Sequence, residues 1–335
     1  MPNLPDDNPP AFDPDALYSS GRDWAPEYVH KCGVCNSTDD VIPVTEWNRG
    51  LCRKCLPKAL EHRIFLDMRR REMLHVRDRV GVCVSGGKDS AALLACLANL
   101  RRRRPFSVLA IYIDMGIPGY SAACRDAVTE LCRRYAVRLI VEEAAAHDVA
   151  PMETGHWNVC AACGGIRRAL FPRIARRENL DVIATGHTLE DMLQIMLKQI
   201  LSGRTFAPKA VLPAGEYDPK KIKPLYFIPE RLTAAYAQIE GLEFEPSKCP
   251  YFPPDTHRFK DVFAHLERLA PMSKIQFLTN LGHMMKSQPV AERPYECLDC
   301  GERAQKSLCP LCTMRRLQHD EPLPTTDPLP SDDPS

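Results

Sequence analysis

The sequence predicts an α/β fold: a doubly wound parallel sheet with a small cysteine module at each end. Three observations lead there. From Arg79 onward, short apolar runs alternate with segments of helical periodicity. A glycine-rich loop, SGGKDS, lies between the first such run and the first helix. Four Cys-x-x-Cys pairs flank this region, two before it and two after. Strands alternating with helices imply parallel pairing with helices on both faces, and such sheets bind ligands beyond the carboxyl ends of their strands.

The elements follow in order. Residues 1–30 are proline-rich and acidic, with Asp6, Asp7, Asp13, Asp15 and Asp23 against Arg22, and read as a disordered tail. Residues 31–56 hold Cys32, Cys35, Cys52 and Cys55 as C-x2-C-x16-C-x2-C, the spacing of a zinc ribbon or knuckle. Leu60, Ile64, Phe65, Met68 and Leu74 recur at helical spacing, which predicts a linking helix over 57–78. The α/β domain spans 79–228, with strands at RVGVCVS, FSVLAIYID, VRLIVEE and DVIAT and helices between them. Residues 229–290 read as a helical extension. Residues 291–318 carry Cys297, Cys300, Cys309 and Cys312 in a tighter second module, and 319–335 form a second acidic tail.

Both tails are negative, so the net charge of +1 conceals a basic body, with Arg69–Arg71 and Arg101–Arg104 as clusters. A basic surface suits a polyanionic partner such as RNA, and solvated surface charge is the plainer alternative for any one cluster. No apolar run reaches the roughly 18 residues of a membrane span, and MPNLPDDNPP lacks a signal pattern. The expectation is a cytoplasmic protein without membrane contact. Fifteen cysteines in a reducing compartment point to metal or catalytic use rather than disulfides.

In VCVSGGKDSAAL, residues Ser85, Gly86, Gly87, Lys88, Asp89 and Ser90 join a strand to a helix. Glycines admit a close backbone approach, helix-terminal N–H groups cradle an anion, and Lys88 adds a point charge. A capped helix start behind a glycine turn is the structural alternative. A fifth pair, Cys160 and Cys163 in HWNVCAACGG, lies in a glycine-rich segment taken as loop and has no second Cys-x-x-Cys to complete it.

SGGKDS resembles the PP-loop of the ATP pyrophosphatase superfamily, whose members transfer AMP from ATP to a substrate oxygen. With IYIDMGIPGYS, CAACGGIRR, ATGHTLEDM and KCPYFPPDTHRFK in the same order, the chain over about residues 30–318 resembles tRNA 2-thiolation enzymes of the TtuA/TtcA type. The flanking cysteine modules match the branch that acts on ribothymidine or wobble uridine; the cytidine thiolases lack them.

That resemblance implies an ATP-dependent tRNA sulfurtransferase using ATP, Mg²⁺, a 4Fe–4S cluster and two structural Zn²⁺. It completes the fifth pair with Cys249 of SKCPYF, so that Cys160, Cys163 and Cys249 hold the cluster with one iron left open. Zinc with a fourth ligand from His156 or His187, a dithiol, and a cysteine persulfide remain as alternatives, as does a PP-loop amidotransferase or ligase acting on a small molecule. Ile113 would meet adenosine through its backbone and Gly186 would admit the nucleotide closely. Asp191 would be a Mg²⁺ ligand or base, although Thr188 and Asp191 also fit a helix cap. The family places Lys where this chain has Arg167, which keeps the charge but cannot accept a proton. Family members take sulfur from sulfide or from a ubiquitin-like thiocarboxylate carrier and tend to form homodimers.

Overall fold

The computed structural model describes residues 30–151, 159–204, 206–252, 258–287 and 295–324; most of both tails, and His156, lie outside them. Strands β1 (Val41–Val44) and β2 (Arg49–Cys52) pair antiparallel, joined through a tight turn at Thr45–Trp47. Helix α1 (Leu56–Arg70) follows with Pro57 in its first turn, where no intrahelical N–H is required. It is shorter than the predicted 57–78. Met73 N–H closes back on Met68 O, and Glu72 and Arg77 take φ values of 50° and 71°, so the helix cannot continue.

The central sheet contains β3 (Arg79–Val84), β4 (Ser107–Asp114), β5 (Arg138–Glu143) and β6 (Val182–Thr185), with two short strands, β8 (Val211–Leu212) and β9 (Lys220–Ile222). Its order is β5-β4-β3-β6-β9-β8, and every pairing is parallel except β8 with β9. The strand order reverses between β3 and β6. At such a reversal the loops leaving two adjacent strands diverge, and a crevice opens at their carboxyl ends.

Both faces are covered, so the strands are apolar on both sides. Val108, Ala110 and Tyr112 of β4 face one core, while Leu109, Ile111 and Ile113 face the other. The first core is built with α1, α2 (Lys88–Leu100), α3 (Ser121–Arg134), α5 (Leu189–Leu201) and α6 (Glu230–Ile239). The second is filled by α4 (Val159–Arg177) and by α9 (Pro310–Gln318) of the C-terminal module. That module also contains a small hairpin, β11 (Tyr295–Glu296) with β12 (Arg303–Ala304).

Two sequence expectations change here. Cys160 and Cys163 are not in a loop: α4 begins at Val159 and includes both, as well as Gly164 and Gly165. The extension is also not continuously helical. After α6 the chain runs irregularly past Cys249 before α7 (Arg258–Leu269) and α8 (Ser273–Met284). A short strand β10 (Lys286–Ser287) then pairs parallel with β7 (Phe206–Ala207). Among the described residues no helix is long and apolar enough to cross a membrane.

Candidate active site

The SGGKDS loop and the start of α5 lie side by side at the β3–β6 reversal. Gly86 has φ +89°, and a Cβ there would stand 2.6 Å from Cβ of Cys124 on α3. A Cβ on Gly186 would come within 3.1 Å of the Ser90 backbone. Glycine is therefore needed at both positions, once for conformation and once for space. The loop is braced from within. Ser85 N–H donates to Ser90 Oγ at 3.1 Å, Ser90 Oγ–H donates to Gly87 O at 2.9 Å, and Gly87 N–H donates to Ser85 Oγ at 3.3 Å. Ile113 is buried within β4, and Asp114 at its end bonds Gly116 N–H and the Arg125 guanidinium.

Around this loop runs a chain of ion pairs. Lys88 Nζ lies 3.0 Å from Asp89 and 2.6 Å from Glu230; Lys260 Nζ lies 2.7 Å from Glu230 and 2.8 Å from Asp191. Burial alone would raise the Glu230 carboxyl, but Lys88 and Lys260 hold it down at about 2. Asp89 goes the other way, pushed up to about 6 chiefly by burial, against the pull of Lys88. The other Asp191 oxygen accepts from Thr188 N–H at 2.9 Å and Thr188 Oγ1 at 3.1 Å, so the cap read from sequence is real and coexists with the ion pair. His187 opens to solvent with Asp191, Lys223 and Lys260 as charged neighbours.

The thiols Cys160, Cys163 and Cys249 are electrostatic neighbours of one another, and Cys249 is also a neighbour of Cys124 beneath Gly86. Being three apart on α4, Cys160 and Cys163 point to one side of the helix. Cys163 and Cys249 pack against the second core, and Cys160 Sγ donates to Tyr251 O at 3.3 Å across the gap. Burial pushes the Cys160 and Cys163 thiols up. Charge on Cys249 would push both further, and Arg167 pulls both back. Arg167 also acts on Cys83 beside the loop and on Cys124 beneath Gly86. It is a cation shared by Cys160, Cys163, Cys83 and Cys124.

A family model described as a PP-loop domain matches residues 62–248. The chain belongs to the PP-loop family. Its relatives include the tRNA-5-methyluridine(54) 2-sulfurtransferase of Thermus thermophilus, 30% identical over 84% of this chain and 90% of that protein. Cytoplasmic tRNA 2-thiolation protein 1 of Xenopus laevis is 27% identical over 85% of this chain and 87% of its own length. Among solved structures, the U34-tRNA thiolase NcsA of Methanococcus maripaludis with its 4Fe-4S cluster superposes with TM-score 0.71 at 24% identity, covering 84% of this chain and 95% of that one. That likeness establishes the fold.

Two further cysteine sets flank this PP-loop domain. The four sulfurs of Cys32, Cys35, Cys52 and Cys55, and those of Cys297, Cys300, Cys309 and Cys312, each lie within 4.8 Å of one another. Closest approaches of 3.6 Å (Cys35 to Cys52) and 3.7 Å (Cys300 to Cys309) fit the edge of a tetrahedron with Zn–S of about 2.3 Å. Backbone N–H groups offset burial at Cys32 and Cys297, holding them at about 6 and about 7. Arg173 reaches Cys300 Sγ at 3.2 Å and so offsets thiolate charge in the C-terminal set. Cys160, Cys163 and Cys249 do not gather this tightly.

Around the loop the ion-pair chain brings Lys88, Asp89 and Asp191 together, while Ile113 stays buried within β4. The site also includes residues for which the sequence reading found no role: Glu230, Thr233 (Oγ1 donating to Asp89) and Lys260. Lys260 lay within KCPYFPPDTHRFK, so the motif was visible although the lysine's partners were not. Glu190, in the first turn of α5, has a structural use. It accepts Glu230 N–H at 2.7 Å and pairs with buried Lys274 at 2.8 Å.

Proposed function

We propose that this chain is a cytoplasmic, ATP-dependent tRNA sulfurtransferase that replaces the 2-carbonyl oxygen of a tRNA uridine or ribothymidine with sulfur. The observation that carries the reading is the single crevice at the β3–β6 reversal. It joins a braced phosphate loop to the thiols of Cys160 and Cys163, which neighbour Cys249 and share the cation Arg167.

The chemistry divides between the two halves. Loop N–H groups, the Ser85 and Ser90 hydroxyls and Lys88 bind the β- and γ-phosphates; Mg²⁺ arrives with the nucleotide. Binding phosphate requires Lys88 to exchange carboxylate partners for phosphoryl oxygens. The base's O2 attacks the α-phosphorus, the Pα–O–Pβ bond breaks, and pyrophosphate leaves with the electron pair. Asp191, oriented by Thr188 and Lys260, lies on the far wall, where it takes the metal or the base's N3 proton. Sulfur then attacks C2, and AMP departs with the former carbonyl oxygen. Cys160, Cys163 and Cys249 are the residues that would hold a 4Fe–4S cluster. When bound, it supplies an iron without a protein thiolate, a place for inorganic sulfur. The donor is sulfide or a thiocarboxylate carrier, and the assembly is a homodimer.

Nucleoside mass spectrometry of tRNA from wild-type and deletion strains tests the reaction. Loss of one 2-thiopyrimidine supports it, and an unchanged nucleoside profile defeats it. Anaerobically purified protein should contain about four irons per chain with absorbance near roughly 400 nm, abolished by Cys249→Ala. Colourless protein that still thiolates tRNA would replace the cluster with a persulfide. Sedimentation of the same sample reads the oligomeric state.

A further inference from the structure

A groove of about 700 Å³ separates the N-terminal cysteine module from α1, away from the nucleotide crevice. Its apolar lining includes Val34 and Leu66, 57% and 40% exposed, and the half-buried ring of Trp47. Its rim carries Arg49, Lys54 and Lys58, and no aspartate or glutamate lines it.

The rim charges differ from their neighbours. Arg53 pairs with Asp40, Arg63 with Asp67, Arg231 with Glu46. Arg49, Lys54 and Lys58 form no ion pair among the described residues. Three like charges left uncompensated around exposed apolar surface repel one another unless an anion joins them. A ligand that fits must offer a flat apolar group and phosphates together, which is what an unstacked nucleotide of an RNA strand presents. Arg63 lies over the Trp47 ring, 5.5 Å from its centroid, so an incoming base meets the guanidinium plane with the indole behind it.

We infer that this groove is a second RNA-binding subsite, taking one base against the stacked Arg63–Trp47 pair and its flanking phosphates on Arg49, Lys54 and Lys58. This rests on the tRNA reading above and adds where a strand is gripped outside the reaction centre. The groove wall is anchored to that centre. Glu46, next to Trp47, pairs with Lys274 at 3.3 Å, Lys274 with Glu190 at 2.8 Å, and Glu190 accepts the N–H of Glu230, the partner of Lys88. A strand held in the groove therefore has a fixed offset from the ATP loop.

The test uses the full-length metal-loaded protein and an unmodified tRNA transcript, with fluorescence anisotropy from 50 to 300 mM KCl. Lys54→Glu/Lys58→Glu should weaken binding by about 10- to 100-fold and reduce the slope of log K against log salt by about 1 to 2. Trp47→Ala should weaken binding with little change in slope, since stacking releases no counterion. Arg133→Glu, on α3 and 74% exposed, controls for charge reversal as such and should leave binding unchanged. Zinc content verifies that each variant keeps its module. Unaltered affinity and slope in the double variant overturn the proposal. So does tighter binding, which would make the groove a seat for the acidic residues 1–23. Wild-type protein that fails to bind or thiolate tRNA defeats the proposed function instead, so the two failures are distinguishable.

Discussion

Lys260 Nζ lies 2.8 Å from Asp191 Oδ1, joining a helix of the C-terminal extension to the helix that leaves β6. The same ammonium holds Glu230, which in turn holds Lys88 of the phosphate loop. One cation thus orients both the far-wall carboxylate and the partner that Lys88 must release. Lys260→Met should lower kcat for pyrophosphate release by about 100-fold, in the range for losing one preorganised charge. Lys260→Arg, which keeps the charge, should recover most of it. Equal rates for Met and wild type would reduce the pair to a surface contact.

Gly86 meets two demands that one double variant separates. Gly86→Ala should abolish measurable ATP binding, because the new Cβ meets Cys124 and φ +89° strains any L-residue by about 1–3 kcal/mol. Adding Cys124→Ala removes only part of the clash. Calorimetric titration with ATP should show partial recovery at best; full recovery would mean that the backbone strain is negligible.

Lys223 is half-buried just after β9, its Nζ donating to Lys209 O at 2.6 Å. Burial, helped by Lys221, lowers it to about 8 from an ordinary 10.5. Between those values the unfolded chain binds the proton that the folded chain has released, so folding stability rises with pH, by up to about 1.4 kcal/mol per unit. Lys223→Met lacks this term. Denaturant midpoints from pH 7 to 10 should show the wild type gaining on the variant above pH 8, and parallel curves would refute the assignment.

Lys274 is buried between Glu46 and Glu190, and Glu46 is held down at about 2 by Arg231 and Lys274 against its burial. Lys274→Met leaves two buried carboxylates short of a cation and should cost about 3–5 kcal/mol in urea unfolding. Lys274→Met/Glu190→Gln should restore part of that loss, because one of the two stranded charges is gone. A neutral single variant would show that water reaches the cluster.

What could be read in the one-dimensional chain was whatever depends on local periodicity or fixed spacing. Strands β3, β4, β5 and β6, the loop after β3, the cap at Thr188 and both four-cysteine sets follow from residues close in sequence, whereas the short β8 and β9 of the same sheet left no such pattern. The end of α1 was misread because its apolar spacing continues past the point where the backbone turns at Glu72. The start of α4 was misread because Gly164 and Gly165 have low helix propensity, which burial of Ala162, Gly165 and Ile166 overrides. The partners of Lys260, Glu230 and Lys274 were not legible at all. An ion pair between distant segments leaves no periodic trace.

The sequence by itself determined the βα alternation, the phosphate loop and the metal sets, since each is specified by side chains within a few residues of one another. The tertiary structure alone decided that strand order reverses at β3 and β6, so that SGGKDS and the start of α5, with Asp191, come side by side. It also decided which cations are neutralised and which, around the Trp47 groove, have no ion-pair partner among the described residues. Those outcomes depend on packing between distant segments, where burial sets the cost of every unpaired charge.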